Sequence, residues 1–110
     1  MFLIKANLDF NDSKRKNPIQ GDTYRPLLFF STIIHSGLIV LDGNEYLEMG
    51  KSYENRLIKI YFYKDLDVEK EFYVGRSFIM AEGSIESGFI GTGIINQIIG
   101  IEEPNTNLNN

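Results

Sequence analysis

Hydrophobic and polar positions alternate through the first ten residues. Phe2, Ile4, Ala6, Leu8 and Phe10 fall on one side, and Leu3, Lys5, Asn7 and Asp9 on the other. A period of two over that length predicts a strand with one buried face. Asn11 to Gly21 then turns polar and holds the turn-formers Asn11, Asp12, Ser13, Asn17, Pro18 and Gly21, so it reads as a loop. Leu27 to Ile34 is a run of apolar, β-branched and aromatic residues opened by Pro26, which is tolerated at the first residue of a strand. Gly37 punctuates the run, Leu38 to Leu41 continues it, and Asp42-Gly43-Asn44 predicts a hairpin from which Glu45 to Met49 pairs back before Gly50.

Arg56 to Tyr63 alternates again. Asp65 to Glu71 reads as an acidic loop with Leu66 and Val68 tucked inward. Phe72 to Met80 predicts a strand with a bulge or bend at Gly75, Ala81 to Gly88 a turn, and Phe89 to Ile99 a last strand, with Gly91 and Gly93 where backbones approach closely. Glu102 to Asn110, with Pro104 and its asparagines, reads as a solvated tail. No segment sustains a 3.6-residue period. Short strands at close spacing, with glycine at the corners, favour a closed barrel or a sandwich. The expected organisation is one all-β domain over 1–101 and a polar tail over 102–110.

Composition narrows the classes. A chain of 110 residues is one domain by length, and 43% hydrophobic residues are enough for a core. The absence of cysteine excludes a disulfide framework and a thiolate metal site, and suits a reducing cytoplasm. No basic stretch precedes the apolar residues at Met1 to Asn7, so a signal peptide is not expected, and no run nears the roughly 18 apolar residues of a membrane span. Met1 stands directly before the first strand, so the barrel reads as a whole gene product or as a domain cut from a longer chain. A net charge of −4 argues against a general nucleic-acid binder.

Candidate chemistry is sparse. His35 is the single histidine, too few for a typical zinc site, and neighbouring Ser36 points to the opposite face of a strand, which disfavours a catalytic dyad. Asp65, Asp67, Glu69 and Glu71 alternate, but without the glycine and terminal glutamate of a calcium loop they read as a solvated face; Glu82, Glu86, Glu102 and Glu103 form no marked acid–base pair. No cofactor or metal is expected. Lys14, Arg15, Lys16 and Arg25 are a candidate phosphate-contacting patch. Arg25, between Tyr24 and Pro26, suits a structural role in which it stacks on an aromatic ring and bonds nearby carbonyls. Tyr46, Tyr53, Tyr61, Tyr63 and Tyr73 are cross-strand and core residues or part of a protein-binding patch.

Three stretches in order carry a family likeness: Arg15-Lys16-Asn17-Pro18 with Tyr24-Arg25-Pro26-Leu27-Leu28-Phe29-Phe30, then Ser36-Gly37 with Leu38 to Leu41 and Gly50, then Phe78-Ile79-Met80-Ala81-Glu82-Gly83 with Ile90-Gly91-Thr92-Gly93-Ile94-Ile95. They resemble the third, C-terminal domain of elongation factor Tu, where Arg-His-Thr-Pro precedes a Tyr-Arg-Pro strand and a closing hairpin reads Glu-Gly-Gly…Val-Gly-Ala-Gly. The resemblance implies a closed six-stranded antiparallel barrel that contacts the T-stem of tRNA, a GTPase domain and an exchange factor. It places the RNA-facing pair on Arg15 and Lys16 and a hydroxyl on Ser36. Leu27 stands where the family has glutamine and Ala81 where it has arginine, so two donors are lost. No Gly-rich phosphate loop is present, so GTP hydrolysis is not expected of these residues.

The expected function is a non-catalytic binding module whose partner is a protein, either a component of the translation machinery or a target that it regulates or neutralises. The alternative is RNA binding through Arg15, Lys16, Arg25 and Ser36. An enzyme or small-ligand binder ranks third and requires a pocket with convergent polar groups.

Overall fold

A computed structural model of the chain describes residues 1–102 except 13, 14, 16, 22 and 32. In chain order the strands are β1 (Phe2–Phe10), β2 (Ile19–Gln20), β3 (Leu27–Phe29), β4 (Ile34–Ile39), β5 (Tyr46–Leu47), β6 (Ser52–Ile60), β7 (Ser77–Ala81) and β8 (Phe89–Ile101), with one short helix, α1 (Val68–Glu71), between β6 and β7. Six of the strands close into an antiparallel barrel in the order β1-β6-β4-β3-β7-β8, and β2 and β5 form a separate two-stranded ribbon. Closure pairs strands that an open sheet would leave as edges.

The alternation read in β1 is the reason it sits at the centre of the closure. Its inward side chains, Phe2, Ile4, Ala6, Leu8 and Phe10, are all buried, with β6 on one side and β8 on the other. Leu28, Ile39, Ile58, Ile60, Phe78, Met80 and Ile95 meet them from the other barrel strands. Each such side chain, fully buried, contributes about 1.5–3 kcal/mol. At one end Phe2, Phe72, Phe30 and Phe78 touch in series, with ring centroids 5.0 Å apart for the stacked Phe2–Phe72 pair, 5.3 Å for the edge-to-face Phe30–Phe72 pair and 5.0 Å for the tilted Phe30–Phe78 pair.

Several local expectations are corrected. Leu27 to Ile34 is not one strand but the start of a hairpin, with Leu27 opposite Ser36 and Phe29 opposite Ile34. Its turn lacks glycine; Ser31 takes the left-handed conformation at φ 83° instead, and the Arg76 guanidinium bonds the Phe30 carbonyl. Gly37 lies inside β4 and is needed for packing, since a Cβ there would stand 2.5 Å from Leu28 Cδ1. The turn at Asp42 forms, with Glu45 N–H donating to Asp42 O at 2.7 Å, but Tyr46–Leu47 pairs with Ile19–Gln20 rather than with Leu38 to Leu41. The Asn11 to Gly21 segment is therefore not all loop. Phe72 to Gly75 precedes β7 as a turn, with Gly75 at φ 93°. Gly91 and Gly93 do mark close approaches: a Cβ at Gly91 would lie 2.4 Å from the Asp9 carbonyl oxygen, and one at Gly93 2.3 Å from the Phe78 ring.

The two ends of the barrel chain meet. The Met1 amino group donates to Glu102 O at 3.0 Å, and Glu102 N–H donates to Met1 O at 2.8 Å. Residues 103–110, most of the expected tail, lie outside the described residues. Among the described residues no helix is long and apolar enough to cross a membrane.

Candidate functional site

The segment Tyr24-Arg25-Pro26 extends the β3–β4 register outward: Gly37 N–H donates to Pro26 O at 2.9 Å and Ile39 N–H to Tyr24 O at 3.4 Å. Consecutive side chains on such a segment point to opposite faces. Tyr24 packs against the core cluster and Arg25 is exposed. The Tyr24 hydroxyl donates to Glu82, Arg15 donates to the same Glu82 oxygen at 2.6 Å, and the Arg15 guanidinium lies 5.0 Å over the Tyr24 ring. Burial first, and then the bond to Glu82 and its charge, push the Tyr24 phenol far above its ordinary range, against a smaller opposing effect of Arg15. Arg15 thus ties its loop to the turn that follows β7.

Arg25 goes the other way. Its guanidinium lies 5.0 Å over the ring of Tyr61, whose N–H donates to Ser36 O at 2.8 Å. Of the sequence-predicted residues, then, the structure groups Arg15 with Tyr24 and groups Arg25 with Ser36. Lys14 and Lys16 lie outside the described residues. Each of the four arginines stacks over a tyrosine: Arg15 on Tyr24, Arg25 on Tyr61, Arg56 on Tyr53 and Arg76 on Tyr73. Among these rings Tyr73 is exposed, as are Tyr46 and Tyr63 elsewhere.

The Arg25 side of the barrel is the outer face of β4, β6 and β1. Directly opposed residues on antiparallel strands share a face. Leu38 faces Lys59, Lys59 faces Leu3, and Leu57 faces Lys5. Val40 follows in the same register, its N–H donating to Leu57 O at 3.0 Å. Across β6 and β1 this makes a checkerboard of leucine and lysine, half-buried throughout, continued by Leu38 on β4 and by Val40 just past its end, and bordered by Arg25, Tyr61 and Ser36. Lys59 Nζ bonds Glu102 at 3.1 Å.

A second cluster was not foreseen. Glu71, read as part of a solvated acidic face, ends α1 and is buried; His35 Nε2 stands 2.8 Å from its carboxylate, with side-chain exposures of 2% and 8%. Phe30 and Phe72 meet the imidazole edge-on at 5.9 and 5.1 Å. Arg76 adds an ion pair to Glu71 at 3.7 Å and bonds Ser31 Oγ at 3.3 Å. The signal in the sequence is faint: Glu71 precedes Phe72, and the apolar Leu66, Val68 and Phe72 draw the segment inward. Asp65, Asp67 and Glu69 remain exposed, as expected, and Asp67 caps α1 by accepting from Lys70 N–H. Ser36 is exposed while His35 is buried, so the two adjacent groups do point apart.

Clefts of about 690 and 310 Å³ flank Arg15, the first with Asp12, Asn17 and Tyr46 and the second with Glu82 and Ser87. Among the described residues no three histidine or carboxylate side chains gather as a metal ion requires. No protein-family model matches the chain, and no curated protein matches it in sequence.

Proposed function

We propose that this chain is a non-catalytic binding module that engages a protein partner through the outer face of β4, β6 and β1. The observation that carries this reading is the checkerboard itself. Leu3, Leu38, Val40 and Leu57 are apolar side chains outside the barrel's core cluster, gathered on one face and half-buried there. Apolar groups flanked by arginine and tyrosine are the composition of protein interfaces. The closed six-stranded barrel is also the architecture that the resemblance to the third domain of elongation factor Tu implies, and a module of that kind would act in the cytoplasm on a translation component or on a target that it regulates or neutralises.

RNA binding is the second reading, favoured by Lys5, Arg25, Lys59 and the Ser36 hydroxyl on one face. It is weakened by the pairing of Arg15 with Glu82. One experiment separates the two. Tagged protein and a Leu38→Ser/Leu57→Ser variant capture material from cell lysate, with and without ribonuclease. The protein-binding reading expects ribonuclease-resistant protein that the variant fails to retain. Captured tRNA or rRNA that vanishes in high salt, with no protein dependent on the leucines, would put the RNA reading in its place.

A further inference from the structure

Resting on the reading of this face as a protein-binding surface, we infer that its partner is an acidic polypeptide segment carrying apolar side chains. The whole chain is negative, at −4. The outward positions of this face run against that sign. Leu3 and Lys5 on β1, Leu57 and Lys59 on β6, Ser36 and Leu38 on β4, and Val40 just past its end include no carboxylate. The outward acid of β1, Asp9, lies toward the opposite end and accepts a bond from Ser52 at 2.8 Å. Charge is therefore sorted along the strand, with cations where the leucines are.

The molecule also shows how a carboxylate sits there. Glu102 reaches Lys59 with both oxygens, at 3.1 and 3.3 Å. An incoming acidic side chain has the same geometry available against Lys5 and Arg25. Among the described residues neither of these two forms an ion pair with a carboxylate.

The leucines decide between a protein and a nucleic acid. Each lysine is directly opposed by a leucine, so a phosphate at the lysine would be brought against apolar surface without compensation, whereas a segment that mixes carboxylates with apolar side chains matches both kinds of square. Tyr61 is covered by Arg25 and offers no open ring for a base to stack on. Complementary charge across such a face speeds association and fixes register, and it weakens as salt screens it.

The test is a panning experiment with a random 16-residue peptide display library on the immobilised full chain. Two variants serve as counter-targets, Lys5→Glu/Arg25→Glu and Leu38→Ser/Leu57→Ser, each checked for an unchanged circular dichroism spectrum. The expected winners are net-negative peptides with apolar residues interspersed. Both variants lose them, and a synthetic copy binds about tenfold more weakly to the charge-reversed protein and in high salt. Winners without net negative charge that depend on the leucines but not on Lys5 and Arg25 would overturn the acidic partner and leave the protein-binding face standing. Winners indifferent to both variants would overturn both. Light scattering of the free protein covers the remaining occupant: a dimer that the leucine variant dissolves would assign the face to a second copy and reject the inference.

Discussion

At the scale of single residues, the buried polar groups set the sharpest constraints. His35 and Arg76 both depend on the Glu71 carboxylate, and a buried pair that loses one partner leaves the other without compensation. Glu71→Ala is expected to cost about 3 kcal/mol, read as a lowered urea midpoint at unchanged slope. A loss within a few tenths of a kcal/mol would show that water replaces the carboxylate. Tyr24 makes a prediction in pH. Its folded-state pKa is raised, so the fold keeps a proton that the unfolded chain releases near pH 10. Its contribution to stability is fully present below about pH 10 and is lost as pH rises above that value. Urea midpoints followed from about pH 9 to 11 are expected to fall more steeply for the natural protein than for Tyr24→Phe, which has no proton to lose. Parallel curves would reject the linkage. The Tyr24–Glu82 bond was not legible in the sequence, because it joins residues 58 positions apart through a turn whose path no local pattern specifies.

Among the elements, β1 was legible from a local pattern, whereas the alternation over Arg56 to Tyr63 misplaced β6, which runs Ser52–Ile60, and the acidic stretch from Asp65 to Glu71 hid α1. β1 declares itself by alternation over its whole length, and all its inward positions are buried. The β3–β4 hairpin is hidden because Ser31, in an apolar run, adopts a conformation that usually calls for glycine, and the Arg76 side chain that bonds the turn arrives from 46 positions away. β5 pairs with β2, not with the strand before its turn, for a similar reason: both strands are two residues long, too short to leave a period. The glycines of β8 are the exception that sequence exposed. Gly91→Ala would press its methyl on the Asp9 backbone and is expected to cost about 2–3 kcal/mol. Gly93→Ala meets the Phe78 ring, a side chain that can turn, and is expected to cost less. The ranking is checked by thermal melts of the two variants, and a reversed order would mean that the β1–β8 spacing yields more readily than the core around Phe78.

For the molecule as a whole, the closed barrel was among the architectures that short, glycine-cornered strands favour, and the family resemblance singled it out. The leucine–lysine face proposed to bind a partner was not legible. Alternation places Leu3 and Lys5 outward on β1 and Leu57 and Lys59 outward on β6, but only register decides that a leucine meets a lysine at each crossing. That register shifts between Ala6 and Leu8, where Asn55 in β6 sits at φ 56°. A one-residue slip at that bulge would change which squares adjoin.

The paired bonds between Met1 and Glu102 carry a consequence for the topology of the chain. With the residues that flank the first and last barrel strands hydrogen-bonded to each other, residues 1–102 form a ring in all but one covalent link. A short Gly-Ser bridge from 102 to 1, with new termini opened in the exposed turn at Gly43 and Asn44, gives a circular permutant that retains every barrel pairing. The same adjacency suits the barrel to being spliced as a cassette into a surface loop of another protein, because its two attachment points lie side by side.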